Sequence, residues 1–225
     1  MVTPFDRLCS ETMPSRQRFL SIPIVKYALV HGSSRELYLD FLEQAYHHVK
    51  HTFPLLALAS SMTRDPRYQE ALVTYMSEER GHEKWILDDI RAMGGEADKV
   101  AHGKPGIPCR AMVAYCYYAI QWISPYTILG MVHVLEGLSV ELAHRLARAM
   151  HQSLGTGDKE RGFSYLNSHG GLDVEHVELF KSLVNGFENP EILDQIVDAT
   201  HVMYRLYGAI FEDIDLRHQE NACAA

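Results

Sequence analysis

Three short stretches of this chain bring carboxylates and imidazoles together at helical spacing. The first is His169-Gly-Gly-Leu-Asp173-Val-Glu-His176. At about 100° per residue, Asp173 lies about 40° from His169, and His176 about 20° to its other side. Two imidazoles and one carboxylate therefore share a narrow stripe, as an inward-facing metal site in a helical bundle requires. The second is Glu79-Arg-Gly-His82, a Glu-x-x-His pair whose members face the same way if one helix carries both. The third is His133-Val-Leu-Glu136. Each has an ordinary reading as a solvated or structural helix face. Together they point to a metal site in an all-helical chain.

Counted strictly, the donors are Glu79, His82, Glu136, His169, Asp173 and His176. Six ligands are too many for one tetrahedral zinc, and no thiolate is among them. Mixed carboxylates and imidazoles suit iron, with manganese as the alternative. Two ferrous ions with open positions can pass electrons to dioxygen and so oxidise a bound C–H, N–H or carboxylate-bearing substrate. Glu43, His47 and His51 follow at i, i+4 and i+8 and span about 80° of one face, with His48 pointing elsewhere. Glu43 and His47 are thus further ligand candidates. Tyr75, four residues before Glu79, falls on the same face as that carboxylate. It is a candidate for lining the substrate pocket or relaying a proton, and equally for a core residue with a satisfied hydroxyl.

The elements that must position these residues read as helices throughout, with no alternating strand. Short segments cover 4–13 and 15–30, and a long helix runs from Ser34 to Ser60 with a bend at Pro54. Asp65-Pro66 caps a helix reaching Met93. Residues 94–108 form a loop, and two helices meet at Ser124-Pro125. A turn at Gly155-Thr-Gly-Asp158 precedes a helix containing Gly162. The stripe helix opens at 168, weakened by Gly170 and Gly171. The last helix reaches Leu216, and 217–225 are expected to fray. The expectation is one all-α domain over 1–225, a bundle of seven to eight helices.

Composition narrows the function further. A net charge of −8 with no basic block disfavours a nucleic-acid partner. The four cysteines form no Cys-x-x-Cys and the chain opens without a secretory leader, so a cytoplasmic setting is the expectation. Residues 111–135 carry no charge and are long enough to span a bilayer. Gln121, Ser124, His133, Pro125 and four tyrosines interrupt them, so they read as two core helices and no membrane partner is expected. The aromatic run Tyr115, Tyr117, Tyr118, Trp122 and Tyr126 reads as core, or as one wall of a substrate pocket. No Gly-x-Ser-x-Gly, P-loop or dinucleotide fingerprint is present.

These marks make a pattern. Tyr46-His-His-Val-Lys-His-Thr, Glu78-Glu-Arg-Gly-His82-Glu, the run from Pro125 to Glu136-Gly, and above all His169/Asp173/His176 resemble the heme-oxygenase-like superfamily, which includes the TenA thiaminases and pyrroloquinoline-quinone synthase. Within it the chain is most similar to the di-iron oxidases and oxygenases. The resemblance covers nearly the whole chain and implies a heme-oxygenase-like/TenA-like bundle. It places metal ligands at Glu79, His82, Glu136, His169, Asp173 and His176, often with a carboxylate from the helix that here holds Glu43. Some members carry a Glu seven residues before the His that is His82 here, where this chain has Tyr75.

The thiaminases use a Cys near the start of the helix after Pro125, and none lies between Tyr117 and Glu136. A heme oxygenase takes its heme on an early-helix His. His47 could fill that part, but the carboxylate-rich set would then be unexplained, so heme is not the expected cofactor. The resemblance implies O2-dependent oxidation of a small organic substrate: N-oxygenation, oxidative decarboxylation or C–C cleavage. An external electron donor and a homodimer are the accompanying expectations. The alternatives are a non-catalytic binding or regulatory protein, or a TenA-like thiamin-salvage hydrolase.

Overall fold

The computed structural model describes residues 2–154 and 162–224, and of residues 168–176 and 221–224 only the backbone. Among the described residues the secondary structure is helical: α1 (Pro4–Leu20), α2 (Pro23–His31), α3 (Arg35–Val49), α4 (Thr52–Met62), α5 (Pro66–Glu79), α6 (His82–Ala92), α7 (Ala97–His102), α8 (Ile107–Trp122), a 3-10 turn (Pro125–Thr127), α9 (Ile128–Leu154), α10 (Ser164–Asn185) and α11 (Pro190–Ala224). The starts follow local chemistry. Thr3 and Asp6 form a capping box on α1, the Ser34 hydroxyl accepts from Leu37 N, and Asp65 accepts from Arg67 N and Tyr68 N ahead of Pro66.

Among the described residues eleven helices replace seven or eight: the segment 94–108, expected as a loop, contains α7, and two long periodic stretches are broken. The stretch from Ser34 to Ser60 divides at Lys50-His51, four residues before Pro54. Pro54 has no N–H to give the Lys50 carbonyl and its ring crowds that carbonyl, so the ladder stops there. The stretch from Pro66 to Met93 divides at Arg80-Gly81. By contrast α1 runs straight through Pro14, because packing against α11 on both sides of it offsets the lost hydrogen bond. Gly162 lies in a turn with φ +89° rather than in a helix. The turn expected at Gly155–Asp158 falls outside the described residues.

The C-terminal helix does not stop at Leu216. It continues to Ala224, and the segment expected to fray is tied down where it begins: His218 Nε2 lies 2.9 Å from Asp40 Oδ2, and Arg217 bonds both Asp40 and Asp213.

Helix α9 is the axis of the bundle, packed against α10, α11 and α2. The stretch Pro125–Leu154 is long and apolar enough to cross a membrane by length and composition. Here its apolar residues Ile128, Leu129, Val134, Leu138 and Met150 are buried against neighbouring helices. Two apolar clusters result. The larger joins α1, α2, α4, α5, α8, α9, the end of α10 and α11, and the smaller joins α3, α6, α7, the end of α9 and the start of α10 around Phe163.

Helix α10 is held at its start by another helix. The buried Asp89 of α6 accepts from Ser164 N (2.9 Å), Ser164 Oγ (2.8 Å) and Tyr165 N (2.8 Å). It thus caps α10 from outside, where the local sequence supplies no cap. Asp89→Ala leaves those donors unsatisfied and is expected to cost roughly 2–4 kcal/mol. Urea denaturation checks this; an unchanged midpoint would remove Asp89 from that role.

Candidate metal centre

The site begins at the break between α5 and α6. Glu79 is the last residue of α5 and His82 the first of α6. They do not share a helix face, as continuous periodicity would have it. Arg80 is extended and Gly81 left-handed at φ +95°, a conformation that favours glycine, and the chain turns so that the two side chains still converge. Glu79 Oε2 lies 3.4 Å from His82 Nδ1, and both side chains are buried or nearly so. The His82 ring stacks on Trp85 at 4.1 Å between centroids, which fixes its plane.

Glu79 faces a cavity of about 160 Å³. Glu136 of α9, Tyr75 of α5 and His48 of α3 line it too, in walls that are otherwise mostly aliphatic and aromatic. Burial, with Glu136, Glu78 and Glu79 nearby, holds the Tyr75 phenol far above its ordinary pKa. Tyr75 is therefore a neutral hydrogen-bond donor at any working pH. No lysine or arginine lines the cavity among the described residues.

The remaining sequence candidates are distributed as follows. His169, Asp173 and His176 lie on α10, whose backbone is helical through Gly170 and Gly171, but their side chains lie outside the described residues. Their helix packs against α9, α6 and α5, which carry Glu136, His82 and Glu79. Glu43 is elsewhere. Burial and Asp40 raise its pKa, Arg217 and Lys99 oppose the rise, and it does not line the cavity. His47 also misses the cavity. It packs on Tyr46, with Nδ1 3.1 Å from Lys50 Nζ, and burial with that ammonium pushes it down to about 4. His51 Nδ1 meets the Tyr117 hydroxyl at 3.1 Å.

His48, the histidine expected to point elsewhere, is the one in the wall. Its signal was the i+3/i+4 stripe Tyr38, Phe41, Ala45, His48, Thr52, in which it is the strongest polar donor. The aromatic run contributes no wall: Tyr118 and Trp122 are exposed, and the uncharged stretch reaches the cavity only through Met131, Val132 and Leu135.

His133 belongs to the core. It stacks on Phe180 (5.6 Å) and meets Phe5 edge-on (6.2 Å); burial, with Arg16 adding to it, pushes its pKa from 6.5 to about 4. A depressed imidazole stabilises the fold fully above 6.5 and loses that contribution as pH falls towards 4, because the unfolded chain takes up the proton first. Between pH 7 and 5 the loss is at most about 2 kcal/mol. His133→Phe should lose less stability over that interval than the wild type in urea titrations; equal losses would contradict this assignment.

Among the described residues no three His, Cys, Asp or Glu groups are placed to hold a metal ion by themselves. The donors at the cavity nevertheless fit iron in kind, being carboxylate and imidazole without thiolate. A full ligand set needs α10.

Residues 39–208 match a protein family described as iron-containing redox enzymes. No curated protein sequence matches the chain. Solved structures share its fold. A domain of unknown function with a heme oxygenase-like fold from Shewanella denitrificans superposes with a TM-score of 0.85 at 21% identity, over 96% of this chain and 93% of that one. Heme oxygenase-1 from Synechocystis, in complex with heme, gives 0.76 at 12% identity over 99% and 97%. A TenA homologue from Pseudomonas syringae pv. tomato gives 0.76 at 13% identity over 93% and 91%. At these identities the likeness is one of fold.

Proposed function

The chain belongs to the iron-containing redox enzyme family, and on that premise we propose that it is a non-heme di-iron enzyme oxidising a small organic substrate with dioxygen. The observation that carries this reading is that Glu79, paired with His82, and Glu136 meet at one mostly apolar cavity, on helices packed against the one that bears His169, Asp173 and His176. In the proposal these six residues hold the iron. Iron bound there would supply electrons for the reduction of dioxygen.

The protein's own contribution is to orient and to exclude water. Glu79 and Glu136 fix the metal end of the cavity from two different helices. Tyr75 keeps its proton beside them and can donate a hydrogen bond to a substrate oxygen or nitrogen. The apolar walls keep bulk water away from reactive oxygen species. The cavity volume is close to the roughly 150 Å³ that accommodates a benzene-sized guest. That size supports a small substrate and a non-heme centre over a porphyrin.

A thiol-dependent hydrolase on the same fold finds less support. Cys109 and Cys116 are buried, do not line the cavity, and burial pushes both thiols up to about 12. An external electron donor, a homodimer and a cytoplasmic setting complete the proposal.

Anaerobic Fe(II) titration followed by an oxygen pulse tests it. The expected result is close to two iron ions per chain and a transient visible absorption band, with oxygen uptake accelerated by a substrate among amines, amino acids and fatty acids. Absence of bound iron after anaerobic loading would overturn the proposal.

A further inference from the structure

We propose that Cys116, Met131 and Met203 form a binding site for one soft monovalent metal ion, Cu(I), behind the wall of the cavity. Its donors are all sulfur and are distinct from the carboxylates and imidazoles of the candidate iron centre. The proposal goes beyond the oxidative reading and does not rest on it.

Three helices bring the sulfurs together. Cys116 Sγ of α8 lies 3.6 Å from Met203 Sδ of α11 and 3.9 Å from Met131 Sδ of α9. All three residues are buried in the larger apolar cluster. Among the described residues, those two thioethers are the hydrogen-bond partners of the Cys116 thiol. Cys109, the other buried thiol of α8, behaves differently: its Sγ donates to the Gln44 carbonyl oxygen at 3.6 Å. One buried thiol on this helix thus has an oxygen acceptor, and the other faces soft donors.

The spacing suits a small sulfur-bound ion. Three metal–sulfur bonds of about 2.3 Å in a trigonal plane set neighbouring sulfurs about 4 Å apart, close to both observed separations. Each methionine has three rotatable bonds with which to take up the difference. Thiolate and thioether donors select Cu(I) over harder ions. Charge leads to the same ion. Burial pushes the Cys116 thiol up to about 12, so it is neutral when no metal is bound. A monovalent ion that replaces its proton leaves the site neutral, whereas a divalent ion would leave a net positive charge in an apolar core. Binding breaks the Sγ–H bond, forms a Cu–S bond and releases the proton to solvent, with copper and sulfur unchanged in oxidation state. Met131 lines the cavity and so gives the ion its way in, while Cys116 and Met203 stand behind it.

Anaerobic titration of the full chain with Cu(I), in competition with the chelator bathocuproine disulfonate, tests the proposal. A Cys9→Ser/Cys223→Ser background removes the two thiols outside the core. The expected result is one Cu(I) per chain, with X-ray absorption showing a first shell of sulfur alone at about 2.3 Å. Cys116→Ser, which removes the one anionic donor, should weaken binding by more than about 100-fold, and Met131→Leu and Met203→Leu each by about tenfold or more. Cys109→Ser should leave the affinity unchanged. The two leucine variants conserve volume and packing, so they keep the test decisive if Cys116→Ser does not fold.

Failure to take Cu(I) from the chelator would overturn the proposal. So would nitrogen or oxygen in the first shell, or an affinity that either leucine variant or Cys116→Ser leaves unchanged. Loss of Cu(I) binding in Cys109→Ser would place the ion at the other thiol and overturn it as well.

Discussion

Glu136→Ala is expected to abolish substrate-driven oxygen uptake, by at least about 100-fold, while the helical fold persists. Glu136 is the only acidic residue that α9 presents to the cavity among the described residues, and Glu79 of α5 lines the same cavity. Its removal takes away one donor from a shared centre, and no lining lysine, arginine or second α9 carboxylate can take its place. The helical fold should persist, because α9 is held by Ile128, Leu129, Val134 and Leu138, which the substitution leaves buried in place. Glu136→Gln separates charge from shape: it fills the same space and should retain little of the iron. An oxygen electrode, iron analysis and far-UV circular dichroism together read these outcomes. Wild-type oxygen uptake by Glu136→Ala would remove this residue, and the convergence built on it, from the proposed centre.

The second large effect lies on the same helix and concerns packing alone. Gly130 of α9 sits against the backbone of α11. A β-carbon added there would lie 2.8 Å from Ala199 C, Ala199 Cβ and Thr200 N. Three contacts at that distance, two of them with main chain, cannot be relieved by a side-chain rotation, so α9 and α11 must separate. Gly130→Ala should destabilise by roughly 1–3 kcal/mol. Gly137, seven residues on, is the internal control. A β-carbon there has only the Arg16 guanidinium nearby, at 3.9 Å, and Gly137→Ala should stabilise by up to about 1 kcal/mol through helix propensity. Opposite signs from one chemical change on one helix are the expected result of paired urea titrations. Equal effects would mean that the α9–α11 approach does not limit the residue at 130.

The sequence by itself determined what depends on near neighbours. Helical periodicity, the caps at Ser34 and Asp65-Pro66, and the joint at Ser124-Pro125 all rest on hydrogen bonds and torsions within a few residues. They were legible for that reason. The chemistry of the donors was legible too, since carboxylates and imidazoles at i+3 and i+4 stand out against an apolar helix.

Tertiary structure decided which donors meet. Glu79 and His82 look like one helix face, yet they converge across a break that Gly81 makes possible. Adjacent His47 and His48 differ by one helical step of about 100°. Only the packing of α3 turns His48 into the cavity and leaves His47 against Tyr46 and Lys50. Glu43 shares a stripe with His47, but its own neighbours are Asp40, Lys99 and Arg217 and it does not line the cavity. Trp122 reads as core by composition and stands in solvent, because α8 buries its other side. Periodicity gives the relative phase of residues on one helix and carries no information about which side of that helix the rest of the molecule covers. That absolute phase is set by contacts between residues far apart in the chain, and on it depends which carboxylates and imidazoles share a cavity.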